Sequence, residues 1–115
     1  MSSRDAGNFG ERLAIALLTK KGYKILDRNF HSRFGEIDII AQDGKTIVFV
    51  EVKARWSNKF GIALEAVGPS KLRKIVKTAE YYAVSHGLTN FKQRIEVVAL
   101  DNKDGSKSAQ VIVVY

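Results

Sequence analysis

The sequence predicts an α/β domain, a mixed five-stranded sheet flanked by helices in the order α-β-β-β-α-β-β. Three observations lead there. Two segments repeat apolar residues with a helical period and stop at a glycine, Gly22 and Gly87. Five other segments are rich in Val, Ile, Phe and Tyr and are bounded by turn residues. The second helical segment falls between the third and fourth of these strands, which permits a parallel crossover there. A length of 115 residues, 45% apolar with one proline, suits one compact domain spanning 1–115.

The first element reads as a helix from Asn8 to Lys21. Asn8 with Glu11 three residues on resembles a capping box, and Phe9, Leu13, Ala14, Leu17 and Leu18 form the buried stripe. Tyr23 to Phe30 reads as the first strand. A hairpin of 36–42 and 45–55 follows, because Asp43-Gly44 is the preferred centre of a two-residue type I′ turn. That turn sets Ile40 opposite Ile47, Asp38 opposite Phe49 and Glu36 opposite Glu51. Val48, Val50, Val52 and Ala54 then make the core face, leaving the opposite face partly open. Residues 56–69 lack a clear period and read as a connector. Ser70 to His86 is helical, with Leu72, Ile75, Val76, Ala79, Tyr82 and Ala83 on one face. Arg94–Leu100 and Gln110–Tyr115 are strands joined by the turn-rich segment 101–106.

Nineteen Lys+Arg against twelve Asp+Glu give a net charge of +7 and a pI near 9.8. That balance fits an anionic partner, nucleic acid first. With no cysteine, disulfides and thiolate metal sites are excluded, and a cytoplasmic location fits. The N-terminus lacks the order of a secretory signal, and no apolar run reaches the length of a membrane span.

The chemistry concentrates in the hairpin. In the expected register Glu36, Asp38 and Ile40 share a face with Ile47, Phe49, Glu51 and Lys53. Asp38 and Glu51 become diagonal neighbours, about 7–8 Å apart at the backbone, with carboxylates able to converge on one cation. Two hard oxygen ligands beside a lysine describe a metal-dependent phosphodiesterase site. Mg²⁺ takes only one or two protein carboxylates and keeps several waters, and Mn²⁺ is the other expected metal. Asp38 and Glu51 are the expected ligands, with the Val52 carbonyl as a further one. Lys53 can orient or deprotonate the attacking water or stabilise charge on the phosphorane. The competing reading is a solvated strand face on which Lys53 only pairs with its acidic neighbours. Lys71, Arg73, Lys74 and Lys77 cluster near a helix start with no acidic residue among them. Cations there oppose the macrodipole, which points to phosphate contacts, although an exposed amphipathic face also accounts for them. In the connector, Arg55 and Lys59 beside Trp56 and Phe60 are candidates for a stacking and phosphate-binding lip.

Asp38 followed by Glu51-Val52-Lys53 resembles the PD-(D/E)xK nuclease motif of the restriction-endonuclease-like fold. More narrowly, Gly10-Glu11, Tyr23 to Asn29, Gly35-Glu36-Ile37-Asp38, Phe49-Val50-Glu51-Val52-Lys53 with Arg55, and Phe60-Gly61 resemble the YraN (UPF0102) family. Glu65-Ala66-Val67, Lys71 and the strand at 94–98 extend the resemblance over nearly the whole chain. It implies a restriction-endonuclease-like domain related to archaeal Holliday-junction resolvases. The implied activity is metal-dependent phosphodiester hydrolysis in branched or structured DNA; the alternative is a nucleic-acid-binding module without efficient catalysis. By the same resemblance Asp38, Glu51 and Lys53 are the catalytic positions, and Glu11 is the helical glutamate that completes the metal site. Resolving a symmetric junction takes two cuts, so a homodimer is expected. Ile37 stands where the motif's name has proline, and Arg94-Ile95-Glu96-Val97-Val98 where the family usually reads Arg-Phe-Asp-Val-Val.

Overall fold

A computed structural model describes residues 3–54, 68–103 and 106–115. It has a five-stranded sheet and two helices: α1 (Ser3–Lys20), β1 (Lys24–Ser32), β2 (Gly35–Asp43), β3 (Thr46–Ala54), α2 (Pro69–Ser85), β4 (Lys92–Lys103) and β5 (Ser106–Val113). The strands lie in sequence order. β3 and β4 pair in parallel and every other pair is antiparallel, so α2 is the crossover that the sequence called for. The element order and mixed sheet agree with the sequence reading; β4 and β5 both begin earlier than expected.

Both helices end in Schellman motifs. Gly22 (φ 95) and Gly87 (φ 66) take the left-handed conformation that a Cβ disfavours. Tyr23 N–H then bonds to Leu18 C=O (3.0 Å), and Leu88 N–H to Ala83 C=O (2.8 Å). Tyr23 and Leu88 thereby swing into the core on opposite sides of the sheet. Pro69 starts α2, where its missing N–H costs nothing. The start of α1 departs from expectation: the helix begins at Ser3, so positions 8 and 11 lie inside it and not at its N-terminus.

The sheet is buried on both faces. Ala14 and Leu18 of α1 cover Ile39, Ala41, Val48, Val50, Val98 and Leu100. Ile75, Ala79 and Tyr82 of α2 cover Ile40, Ile47, Phe49 and Ile95. The face that carries the hairpin acids is therefore closed by α2 over most of its length, not partly open. Leu13, expected in the stripe of α1, is exposed, and Ile15 packs instead.

The hairpin register also differs. Asp43 pairs with Thr46, Gln42 with Ile47 and Ile40 with Phe49. Gly44 and Lys45 are thus the central residues, and only Gly44 has a positive φ (61), the pattern of a type II′ turn. Each residue of β2 moves by two along β3. Because side chains alternate with period two, the faces are preserved.

Candidate metal and nucleic-acid site

The shift by two residues matters most at Asp38. Continued one step past Ile39–Val50, the observed register puts Asp38 directly opposite Glu51 rather than diagonal to it. The ladder stops there. Ile37 and Ile40 pack in the same cluster while Ile39 packs in the opposite one, so the alternation of β2 slips by one residue at Asp38. Its neighbour across β1, Asn29, has φ 51, the left-handed region that asparagine tolerates better than most residues. Where the strands part, Val52 N–H donates to Asp38 Oδ2 (2.8 Å) instead of to the β2 backbone. By alternation the Val52 carbonyl points to the same side.

Three carboxylates meet this break from three elements. Glu51 on β3 is buried, and its Oε1 lies 2.5 Å from Lys71 Nζ at the start of α2. Asp38 is pushed up to about 6, first by burial and then by the Glu51 charge, against the Val52 N–H and Lys71. Glu11 on α1 is 7% exposed. Burial and then the Asp38 charge hold it above the usual carboxylate range, despite Arg28 and a hydrogen bond from Asn29. Glu11 Oε1 is buried with no hydrogen-bond partner among the described residues. For Lys71, partial burial disfavours the ammonium, but the bond to Glu51 and the fields of Glu51 and Asp38 outweigh it and raise its pKa. Lys53, half-buried on β3, belongs to the same cluster.

Glu11, Asp38, Glu51, Val52 and Lys53 thus lie at one end of the sheet. Lys71 joins them as the partner of Glu51, a contact that sequence spacing does not reveal. Asn29 was also missed, and its positive φ is the feature that places its side chain on Glu11. Glu36 is solvated and pairs with His31 (3.2 Å). Lys74 lines a groove with Lys71, Gly35 and Glu36, whereas Arg73 lines a different one with Pro69 and Tyr115. Lys77 lies further along α2. Arg55 and Lys59 fall outside the described residues. Among the described residues, no three His, Cys, Asp or Glu side chains stand close enough to hold a metal ion as they are. Lys71, Lys53 and Arg28 bring positive charge to these acids, and Glu11 Oε1 is the buried acceptor left without a partner among the described residues.

A second polar cluster is structural. Buried Glu96 on β4 accepts from Tyr23 Oη (3.0 Å) and Arg94 Nε (2.7 Å), and Arg94 Nη2 reaches Asp43 Oδ2 (2.7 Å). It ties the end of α1 to β4 and the hairpin turn.

An α/β domain of this topology, with acids at a break between its central strands, is the class that the geometry defines. Residues 10–100 match the model of the uncharacterised protein family UPF0102, and the chain belongs to that family. A UPF0102 protein of Syntrophus aciditrophicus is 50% identical over 97 residues, covering 84% of this chain and 76% of the relative. One of Fusobacterium nucleatum is 46% identical, covering 86% and 83%. A third, of Syntrophomonas wolfei, is 42% identical over 96% of both chains. No helix among the described residues is long and apolar enough to cross a membrane.

Proposed function

We propose that this domain is a metal-dependent endonuclease acting on branched or structured DNA. The observation that carries the reading is the orphaned Glu11 Oε1 beside Asp38 and Glu51, a buried acidic focus in a chain of net charge +7. Glu11, Asp38, Glu51 and the Val52 carbonyl are the groups that would hold Mg²⁺ or Mn²⁺. When bound, such an ion neutralises the phosphate and makes a coordinated water acidic. Asp38, fixed by the Val52 N–H, sets the position of the site. Lys53 orients or deprotonates the attacking water or stabilises charge on the phosphorane. Lys71 must leave Glu51 for that carboxylate to become a ligand, and DNA phosphate offers it an alternative partner. Cutting both strands of a symmetric junction would require a dimer.

The Lys71–Glu51 pair also favours a second reading, a nucleic-acid-binding module whose acids are neutralised internally. A panel of duplex, single-stranded and four-way DNA with Mg²⁺ and Mn²⁺, run beside Glu51→Ala and Asp38→Ala, separates the two. The nuclease nicks at least one substrate only with metal, and both variants bind without cutting. Salt-sensitive binding with no cutting of any substrate under either metal would refute it in favour of the module.

A further inference from the structure

Lys71, Lys74 and Lys77 recur every three residues along α2, leading away from the carboxylates. Lys71 and Lys74 line one groove with Gly35, Glu36, Ser70 and Ile75. Lys77 lines the next, a groove of about 410 Å³, with Phe34, Glu80, Tyr81 and Val84. At about 1.5 Å rise per residue, Lys71 and Tyr81 are roughly 15 Å apart along the helix. The two grooves follow one another along α2, the first of them beside Lys71, the partner of Glu51.

Its far end is aromatic and open to solvent. Tyr81 is 49% exposed and Val84 71%. The Phe34 and Tyr81 rings lie 6.0 Å apart at 57°, and the Arg33 guanidinium sits 4.9 Å from the Phe34 ring centre. Phe34 is held in place: its N–H donates to Ser32 Oγ (3.1 Å). Gly35 (φ 151) lets the β1–β2 turn approach α2 so closely that a Cβ would meet Thr78 Oγ1 at 3.3 Å. Fixed aromatic faces beside a row of cations match a nucleobase stack with its phosphates. A paired duplex cannot use such faces, because its bases already stack on one another. A protein partner would have to answer Arg33, Lys74 and Lys77 with acids, and Glu80 is the one acidic residue lining the second groove.

We propose that Arg33, Phe34, Lys74, Lys77 and Tyr81 bind a single-stranded nucleic-acid segment that runs along α2 to the carboxylates. The assignment deepens the proposed function, since it names a substrate with a single strand next to its cleavage point. Binding is measured by fluorescence anisotropy in EDTA on labelled single-stranded, blunt-duplex and tailed-duplex DNA. Phe34→Ala and Tyr81→Ala should each weaken binding to single-stranded and tailed DNA by roughly fivefold or more, leaving blunt duplex nearly unchanged. Lys74→Glu should weaken all three and flatten the salt dependence. Phe34→Trp and Tyr81→Phe, which keep the stacking faces, should bind as wild type and so separate lost stacking from lost folding. Wild-type affinity in both alanine variants would overturn the proposal. So would equal losses on blunt duplex, or loss of self-association with DNA binding intact, which would assign the patch to a protein contact. Without metal the readout does not depend on cutting. Aromatic-dependent binding with no cleavage would refute the nuclease alone, and cleavage with aromatic-independent binding would refute the single-strand assignment alone.

Discussion

Replacing Asp38 by asparagine should stabilise the metal-free protein at neutral and alkaline pH, by an amount that disappears in acid. Asp38 rises from 3.8 to about 6 on folding, through burial first and the Glu51 charge second. At about 1.36 kcal/mol per pH unit, that gap corresponds to about 3 kcal/mol. The sign comes from proton binding. Between the two values the folded protein holds a proton that the unfolded chain has released, so stability falls as pH rises through this window. Below about 3.8 both states are protonated and there is no penalty; above about 6 both are ionised and the whole penalty stays. Asparagine resembles the protonated acid in shape and charge and can still accept from the Val52 N–H. Its advantage over wild type should therefore grow from near zero at about pH 3.5 to about 3 kcal/mol at about pH 8. For a domain of this size that is roughly 10 °C in Tm. Urea unfolding of both proteins in EDTA across that range measures the difference directly. A pH-independent difference, or a variant less stable than wild type at the alkaline end, would refute the electrostatic account of the site.

Glu96→Ala should destabilise by about 3 kcal/mol, because it removes the buried acceptor of both Arg94 Nε and the Tyr23 hydroxyl. Chemical denaturation measures this, and a loss under about 1 kcal/mol would show that the cluster does not lock β4 to α1. Lys71→Met should remove the partner of Glu51 at a cost of only about 1 kcal/mol, since the Lys71 side chain is 41% exposed. It should also give a larger Mn²⁺-induced rise in Tm than wild type. An equal metal response in the two proteins would mean that Lys71 and the metal do not compete for Glu51.

The fold was legible because its signals are local. Glycines 22 and 87 end the helices, alternation defines the strands, and a helix between β3 and β4 dictates the parallel pair. The faces of Glu51 and Lys53 were legible too, since a hairpin slip of two residues preserves them, whereas Asp38 sits where the alternation of β2 breaks. The turn itself was misplaced because Asp-Gly and Gly-Lys both supply the glycine that a tight hairpin needs, and only cross-strand packing of Ile40 on Phe49 decides between them. Glu11 was ambiguous for a different reason. Asn8 and Glu11 have capping-box spacing, but nothing local says that the helix already began at Ser3. The Lys71–Glu51 contact lies beyond sequence reasoning altogether, because it depends on how α2 docks over the end of β3.

That docking explains why a lysine is tolerated at Lys71. The first turn of α2 contains no acid, so a cation there faces the positive end of the helix dipole without local relief. Relief comes across the fold, from Glu51. Glu51 in turn is buried next to Asp38, and its charge adds to the cost of ionising Asp38. Lys71 pairs with Glu51. Asp38 makes do with a backbone N–H, and Glu11 has Asn29 on its carboxylate but a bare Oε1. At the other end of the hairpin Arg94 pairs with both Glu96 and Asp43, and the Tyr23 hydroxyl donates to Glu96. The two acidic networks differ at one atom: both Glu96 oxygens are hydrogen-bonded, whereas the buried Glu11 Oε1 has no partner among the described residues.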